Sequence, residues 1–279
     1  MIQNNQNKAL SEFALEVHDL KAGYNSRVVL DNVAFSVAPA EIRVVLGVSG
    51  CGKSTLLNTI LGLQKAMDGE VSFFGDMVKL TEMQIPRTTR ERCGVLFQNG
   101  ALLSSLTLAA NVALPLRMYQ PDLSINVVDE IVAQKLESVG MLDAWYKYPA
   151  ELSGGMCKRA GLARALVLDP GLLFCDEPSA GLDPVTSRDL DDLLLRLREQ
   201  LGIAMLIVTH ELASIRSIAD NLLFLSAGKV QFDGSLAQGL ESTDPELVRF
   251  FNRAATSVTN ANTNVVFSIE EGEHGNHQG

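Results

Sequence analysis

Cysteine is scarce in this chain of 279 residues, with four in all. Cys51, Cys93, Cys157 and Cys175 are widely scattered and form no C-x-x-C pair. Zinc sites and disulfide frameworks need closely matched thiols, so reduced, unpaired cysteines are expected. Positive charge is also short, at 23 Lys and Arg against 33 Asp and Glu, for a formal charge of −10. Binding a phosphate backbone needs a basic surface, which argues against nucleic acid as the main partner and leaves room for a local nucleotide site. No stretch approaches the roughly 20 apolar residues of a membrane-spanning helix. The opening MIQNNQNKALSEF is polar and lacks the apolar core of a secretion signal. A cytosolic chain is expected, with any role at a membrane reached through a partner.

Aromatic residues make up only 6% of the chain, but a hydrophobic share of 47% is ample for a buried core. The length exceeds a typical single domain and suits one α/β domain with an inserted lobe. There is no internal repeat.

Residues 14–17 and 28–37 alternate apolar and polar side chains, the pattern of exposed-edge antiparallel strands. Residues 42–46 form a β-branched run that enters a glycine-rich turn, and a helix is expected over residues 53–61. Strands follow at 70–74 and 94–97. From Gln98 to about Ala165 the character changes, with Pro115, Pro121 and Pro149 punctuating helical pieces, the best at 125–139. This reads as a helical lobe inserted in the core. The core returns with a strand at 172–175, a helix at 185–200, a strand at 205–208 and short strands at 222–225 and 230–232. Apolar strands alternating with helices predict a mostly parallel sheet covered on both faces. From about Ala254 the chain turns polar, as a poorly packed tail does.

Three segments carry chemistry. Gly47-Val48-Ser49-Gly50-Cys51-Gly52-Lys53-Ser54 satisfies G-x-x-x-x-G-K-[ST], with a strand before it and a helix after. Its glycines let backbone N–H groups converge on phosphate oxygens, and the helix turns its positive end to the same anion. Lys53 should reach the β- and γ-phosphates and Ser54 should hold Mg²⁺. The apolar strand Leu172-Leu173-Phe174-Cys175 ends in Asp176-Glu177. Asp176 can hold the metal and Glu177 can act as general base on a water. Finally, Leu152-Ser153-Gly154-Gly155-Met156 opens a helical run, with Ser153 as N-cap and two glycines exposing backbone donors. One γ-phosphate does not need both phosphate-binding devices from a single chain. A head-to-tail dimer would let each copy's second device close the other's first.

Together these segments resemble an ABC transporter ATP-binding subunit over roughly residues 13–252. The resemblance implies an α/β P-loop NTPase (RecA-like) core with an antiparallel β subdomain and an inserted helical subdomain. Residues 13–97 and 166–252 would form the core, 98–165 the helical subdomain and 253–279 a polar tail. It also implies roles for single residues. Tyr24 would stack on adenine, and Thr55 would join the phosphate-binding set beside Ser54. Gln98 would sense Mg²⁺ and the attacking water. Asp183, in Ser179-Ala180-Gly181-Leu182-Asp183, would face the opposite protomer, and His210 would lie near the γ-phosphate. Asp183 before Pro184 also reads as a helix N-cap.

The usual Gln of the signature is replaced here by Met156. LSGGM, together with Phe97-Gln98-Asn99-Gly100-Ala101-Leu102-Leu103, resembles the Mla and Mce-associated ATPases that drive lipid transport in bacterial envelopes, although SAGLD is the general ABC form. That resemblance implies ATP and Mg²⁺, a homodimer, an MlaE-like permease, an accessory subunit and an Mce-domain protein. It implies a position on the cytoplasmic face of the inner membrane. An ABC ATPase for another cargo, a soluble one acting on DNA or ribosomes, and a cluster-assembly scaffold remain as alternatives.

Overall fold

The computed structural model describes residues 12–252, apart from 26 and 83. The polar tail expected from about Ala254 lies outside the described residues. In chain order the elements are β1 (Leu15–Tyr24), β2 (Arg27–Val37), β3 (Ile42–Gly47), α1 (Lys53–Ile60), β4 (Ala66–Phe73), β5 (Asp76–Lys79), α2 (Arg87–Glu91) and β6 (Cys93–Leu96). There follow α3 (Leu108–Tyr119), α4 (Ile125–Ser138), α5 (Gly154–Leu166), β7 (Leu172–Asp176) and α6 (Pro184–Leu201). The last are β8 (Ala204–Val208), α7 (Leu212–Ile218), β9 (Asn221–Ser226), β10 (Lys229–Ser235) and α8 (Leu236–Leu240), and residues 245–252 are helical.

The protein is α/β, with two sheets among the described residues. One has six strands in the order β10-β9-β3-β8-β7-β6, parallel except for the β9–β10 hairpin. Every residue of β3 and β8 is buried, as strands covered on both faces require. The pleat sends alternate side chains to opposite layers. Met205 and Ile207 join a core with helices α3 to α7, while Leu206 and Val208 join one with α1 and the second sheet. That second sheet is antiparallel, ordered β2-β1-β4-β5.

Several expectations change. The alternation in β1 suggested an exposed edge, but β1 pairs with β2 on one side and β4 on the other, and of β1 and β2 it is β2 that lies at an edge. Alternation reports one buried face and says nothing about the number of neighbours. β4 starts at Ala66, four residues earlier than expected, because Ala22 of β1 pairs with it there. Phe74 has left the strand, at φ 53. Pro115 does not end a helix but sits inside α3, where burial of Leu108, Val112, Ala113 and Leu116 outweighs the lost backbone bond.

The loop entering α3 hangs on one side chain. Asn111 is fully buried, and its Oδ1 accepts the Leu103 N–H at 2.7 Å. Its Nδ2 donates toward the carbonyls of Leu103, Leu106 and Thr107 at 3.1, 3.2 and 3.0 Å. Oxygen side chains cap the helices at their starts: Thr107 for α3, Ser124 for α4, Ser153 for α5 and Asp183 for α6.

Candidate functional site

β3 runs directly into the glycine loop and α1. Two of its glycines are sterically required. At Gly47 (φ 150) a Cβ would come within 2.4 Å of the Leu225 carbonyl oxygen, and at Gly52 (φ 113) within 2.6 Å of Leu30 Cδ2. Gly52 is also the N-cap of α1 and offers no side chain to the first N–H groups of the helix, and the first turn carries no acid. Those donors are left for an anion. Lys53 Nζ folds back over the loop, donating to the Gly47 carbonyl at 2.7 Å, and is thereby held beside the space an anion would fill.

Across the cavity, β7 ends at Asp176, and Glu177 follows in the turn. Burial pushes the Asp176 carboxyl above its usual range, and the neighbouring Glu177 charge pushes the same way, while Lys158 and Lys53 oppose both. A cation beside Asp176 would relieve this. Glu177 adopts the left-handed conformation, at φ 47, rare for a residue with a Cβ. Its N–H donates to the Val208 carbonyl at 2.8 Å, and its own carbonyl accepts from Lys158 Nζ at 2.9 Å. Its carboxylate turns to His210, with Oε1 2.8 Å from Nδ1 and Oε2 accepting the His210 N–H at 3.4 Å. Glu177 is thus fixed at backbone and side chain, with the more exposed His210 over it.

One cavity of about 1040 Å³ gathers Tyr24, Gly47, Val48, Ser49, Gly50, Gly52, Lys53, Ser54, Thr55, Gln98, Asp176, Glu177 and His210. Residues from five distant parts of the chain therefore share one space. Tyr24 stands at its rim, 52% exposed. Cys51 does not line it. Its thiol points inward, is buried and is pushed up by that burial, so the residue can offer the cavity only its backbone. Ser153, Gly154, Gly155 and Asp183 are also absent from the cavity wall. Ser153 caps α5 by accepting the Met156 N–H at 3.3 Å, leaving Ser153 and Gly154 exposed. Asp183 caps α6, and its bonds to Thr186 and Val185 hold its carboxyl below the usual range.

The reading from sequence passed over two features. Val29, Ser226 and, from the helical segment 245–252, Glu246, Arg249 and Phe250 also line the cavity. The Phe250-Phe251 pair in an otherwise polar stretch was their one sequence signal. Lys158, 5% exposed, had none. Burial lowers its pKa, and the charges of Glu177, Asp176 and Cys175 oppose this.

The cavity joins a glycine loop, a free helix N-terminus, a lysine and a fixed carboxylate. Those are the parts needed to hold a nucleoside triphosphate and to activate a water against it. Residues 30–180 match the family described as ABC transporter. The chain is 38% identical to the intermembrane phospholipid transport system ATP-binding protein MlaF of Haemophilus influenzae, over 86% of this chain and 91% of that one. It is equally identical, at 38%, to the probable ribonucleotide transport ATP-binding protein mkl of Mycobacterium leprae, over 86% of this chain and 69% of that one. Among solved structures, the ATP-binding cassette MJ0796, dimeric in a post-hydrolysis state with ADP and Pi, is similar at a TM-score of 0.70. Identity there is 27%, covering 80% of this chain and 98% of that one.

Proposed function

The chain belongs to the ABC transporter family as an ATP-binding, ATP-hydrolysing subunit, and on that premise we propose that it drives phospholipid transport by closing and opening as a homodimer around two nucleotides. The loop from Gly47 to Ser54 and Thr55 holds the triphosphate, and Tyr24 stacks on the adenine. Glu177 accepts a proton from a water aligned with the γ-phosphorus, and Gln98 and His210 steady that water and the departing phosphate. Lys53 matches the developing negative charge. Ser54, Gln98 and Asp176 bring three oxygen donors to one cavity, a set that suits Mg²⁺ over softer metals. Bound there with the nucleotide, the ion neutralises phosphate charge. Ser153, Gly154 and Gly155 reach the γ-phosphate of the partner's nucleotide, and Asp183 faces the partner. Hydrolysis removes the phosphate that joins the copies.

The observation that carries the catalytic reading is Glu177, fixed in a left-handed turn with its carboxylate toward the cavity. Glu177→Gln should bind ATP, release almost no phosphate and accumulate as a dimer in light scattering. Phosphate release at the parent rate removes Glu177 from this role.

No helix among the described residues is long and apolar enough to cross a membrane. A second cavity of about 350 Å³, with Leu114, Pro115 and Tyr119 in its wall and Leu63 and Met118 57% and 65% exposed, offers an apolar seat for a permease loop. The phospholipid cargo, the MlaE-like permease with its accessory and Mce-domain partners, and the cytoplasmic face of the inner membrane are supported by the likeness to MlaF and by LSGGM. The equal identity to mkl favours a second reading, the same motor with another cargo. Isolating the chain from native membranes in mild detergent, with mass spectrometry of the bound lipid, separates them. A multipass protein carrying glycerophospholipid is expected. A permease assembly free of lipid would leave the second reading standing.

A further inference from the structure

Glu177 carries two backbone constraints of different origin. The bond from its N–H to the Val208 carbonyl extends the ladder between β7 and β8 and belongs to the sheet. The bond on its C=O comes from Lys158, which lies in α5, the helix that opens with Ser153-Gly154-Gly155. A lysine ammonium seldom lies so deep. Here it does so with the Glu177 carbonyl as its acceptor and the charges of Glu177 and Asp176 beside it.

α5 is tied elsewhere to the loop after Gln98, another residue placed against the attacking water. Arg164 donates to the carbonyls of Gly100 and Ala101, at 2.8 and 2.7 Å, just beyond Gln98. Gly161 packs so tightly on Gly100 that a Cβ would fall 2.9 Å from the Gly100 Cα. One helix thus carries Ser153 and the exposed Gly154 at its start, holds the Glu177 main chain one turn later and holds the loop after Gln98 two to three turns later. Gly154 and Lys158 are four residues apart, about 6 Å along the axis. A shift of α5 on engaging a partner's nucleotide moves Lys158 Nζ with it.

We infer that Lys158 is a positioning residue for hydrolysis, which holds the Glu177 main chain in its left-handed turn and couples the base to the placement of the signature helix in the same chain. The inference rests on the reading of Glu177 as the general base. Lys158 does not line the cavity and acts through the Glu177 carbonyl it holds. Removing the ammonium leaves the phosphate loop intact and lets the base drift.

The test uses the full chain. Lys158→Met should lower kcat by roughly tenfold to a hundredfold, the cost expected of a misplaced catalytic group. The KM for ATP and the Kd of a non-hydrolysable ATP analogue should change less than about twofold, because the residues that grip the phosphates are untouched. Lys158→Arg, which keeps a cationic donor, should restore most of kcat. In a Glu177→Gln background Lys158→Met should have no further effect on residual phosphate release, since the group it positions is gone. If Lys158→Met does not fold, Lys158→Gln is read by the same split.

A substituted chain with parental kcat overturns the inference. So does loss of analogue binding in step with kcat, failure of Arg to rescue, or the same fold-loss in the Glu177→Gln background. A fully active Glu177→Gln chain removes the base itself. An inactive one beside an active Lys158→Met chain removes only the role of Lys158.

Discussion

Asp191, on α6, is the residue where burial and charge conflict most openly. It is 3% exposed, and its Oδ1 is the buried side-chain atom without a hydrogen-bond partner among the described residues. Burial pushes its pKa up to about 6, with Asp192 and Glu211 adding to the rise while a Ser214 hydrogen bond and Arg188 oppose it. The direction sets the pH dependence. Between about 4 and 6 the unfolded chain releases this proton and the folded chain retains it, so stability falls as pH rises through that window. Above about 6 the folded state carries a buried carboxylate and the full penalty applies. Asp191→Asn keeps the shape without the charge. It should raise unfolding stability by about 2–3 kcal/mol at pH 8 and by less than about 1 kcal/mol at pH 4. Urea unfolding of both chains at the two pH values checks this, and a gain equal at both would remove the titration argument. The thiols of half-buried Cys93 and buried Cys175 are pushed up to about 12 by desolvation, so they stay protonated at neutral pH.

Among the elements, the stretch between β6 and α3 depends most on one side chain. Asn111 ties four backbone groups of residues 103–107 to the first turn of α3. Asn111→Ala leaves those groups without their side-chain partner and should cost about 2–4 kcal/mol. Hydrogen exchange should rise in peptides covering residues 101–119 and stay unchanged in β3, β7 and β8; a rise spread over the whole sheet would show that the bonds are not local.

The amide's role was not legible in the sequence, because a buried Asn and a solvated one look alike there. The strands β3, β7 and β8 were legible, since continuous apolar runs between glycine and acidic turns leave little else possible. The phosphate loop was legible because its spacing is itself a steric requirement, as Gly47 and Gly52 make plain. What failed depended on distant packing. The interior place of β1 needed β4, and the helical setting of Pro115 needed a buried face. Lys158 becomes meaningful only when the fold brings it to a carbonyl 19 positions away.

Taken as a whole molecule, on the proposed reading one copy holds all the parts of the site but does not assemble them. Lys53, Asp176, Glu177 and His210 share one cavity, while Ser153 and the adjoining glycines stand outside it. A second copy supplies the missing wall if the site is shared, and this can be tested by damaging the two halves separately. Lys53→Ala disables the phosphate loop. Gly154→Asp disables the other half with little structural harm, because a Cβ there has Leu182 Cδ2 at 3.8 Å as its nearest neighbour. An acid in the first turn of α5 also suits the helix dipole, yet it repels a phosphate arriving at that turn. Each variant alone should be nearly inactive. In an equal mixture, half of the pairs combine one copy of each kind. Every such pair has one site with an intact loop from one copy and an intact Ser-Gly-Gly turn from the other. If the sites act independently, the mixture should recover up to about a quarter of parental turnover, as an isologous pair predicts. Recovery must grow with time as the pairs exchange copies, and it must vanish when Glu177→Gln is added to the copy with the intact loop. A mixture no more active than its two components, with exchange of copies verified by labelling, would mean that the Ser-Gly-Gly turn does not complete the neighbour's site.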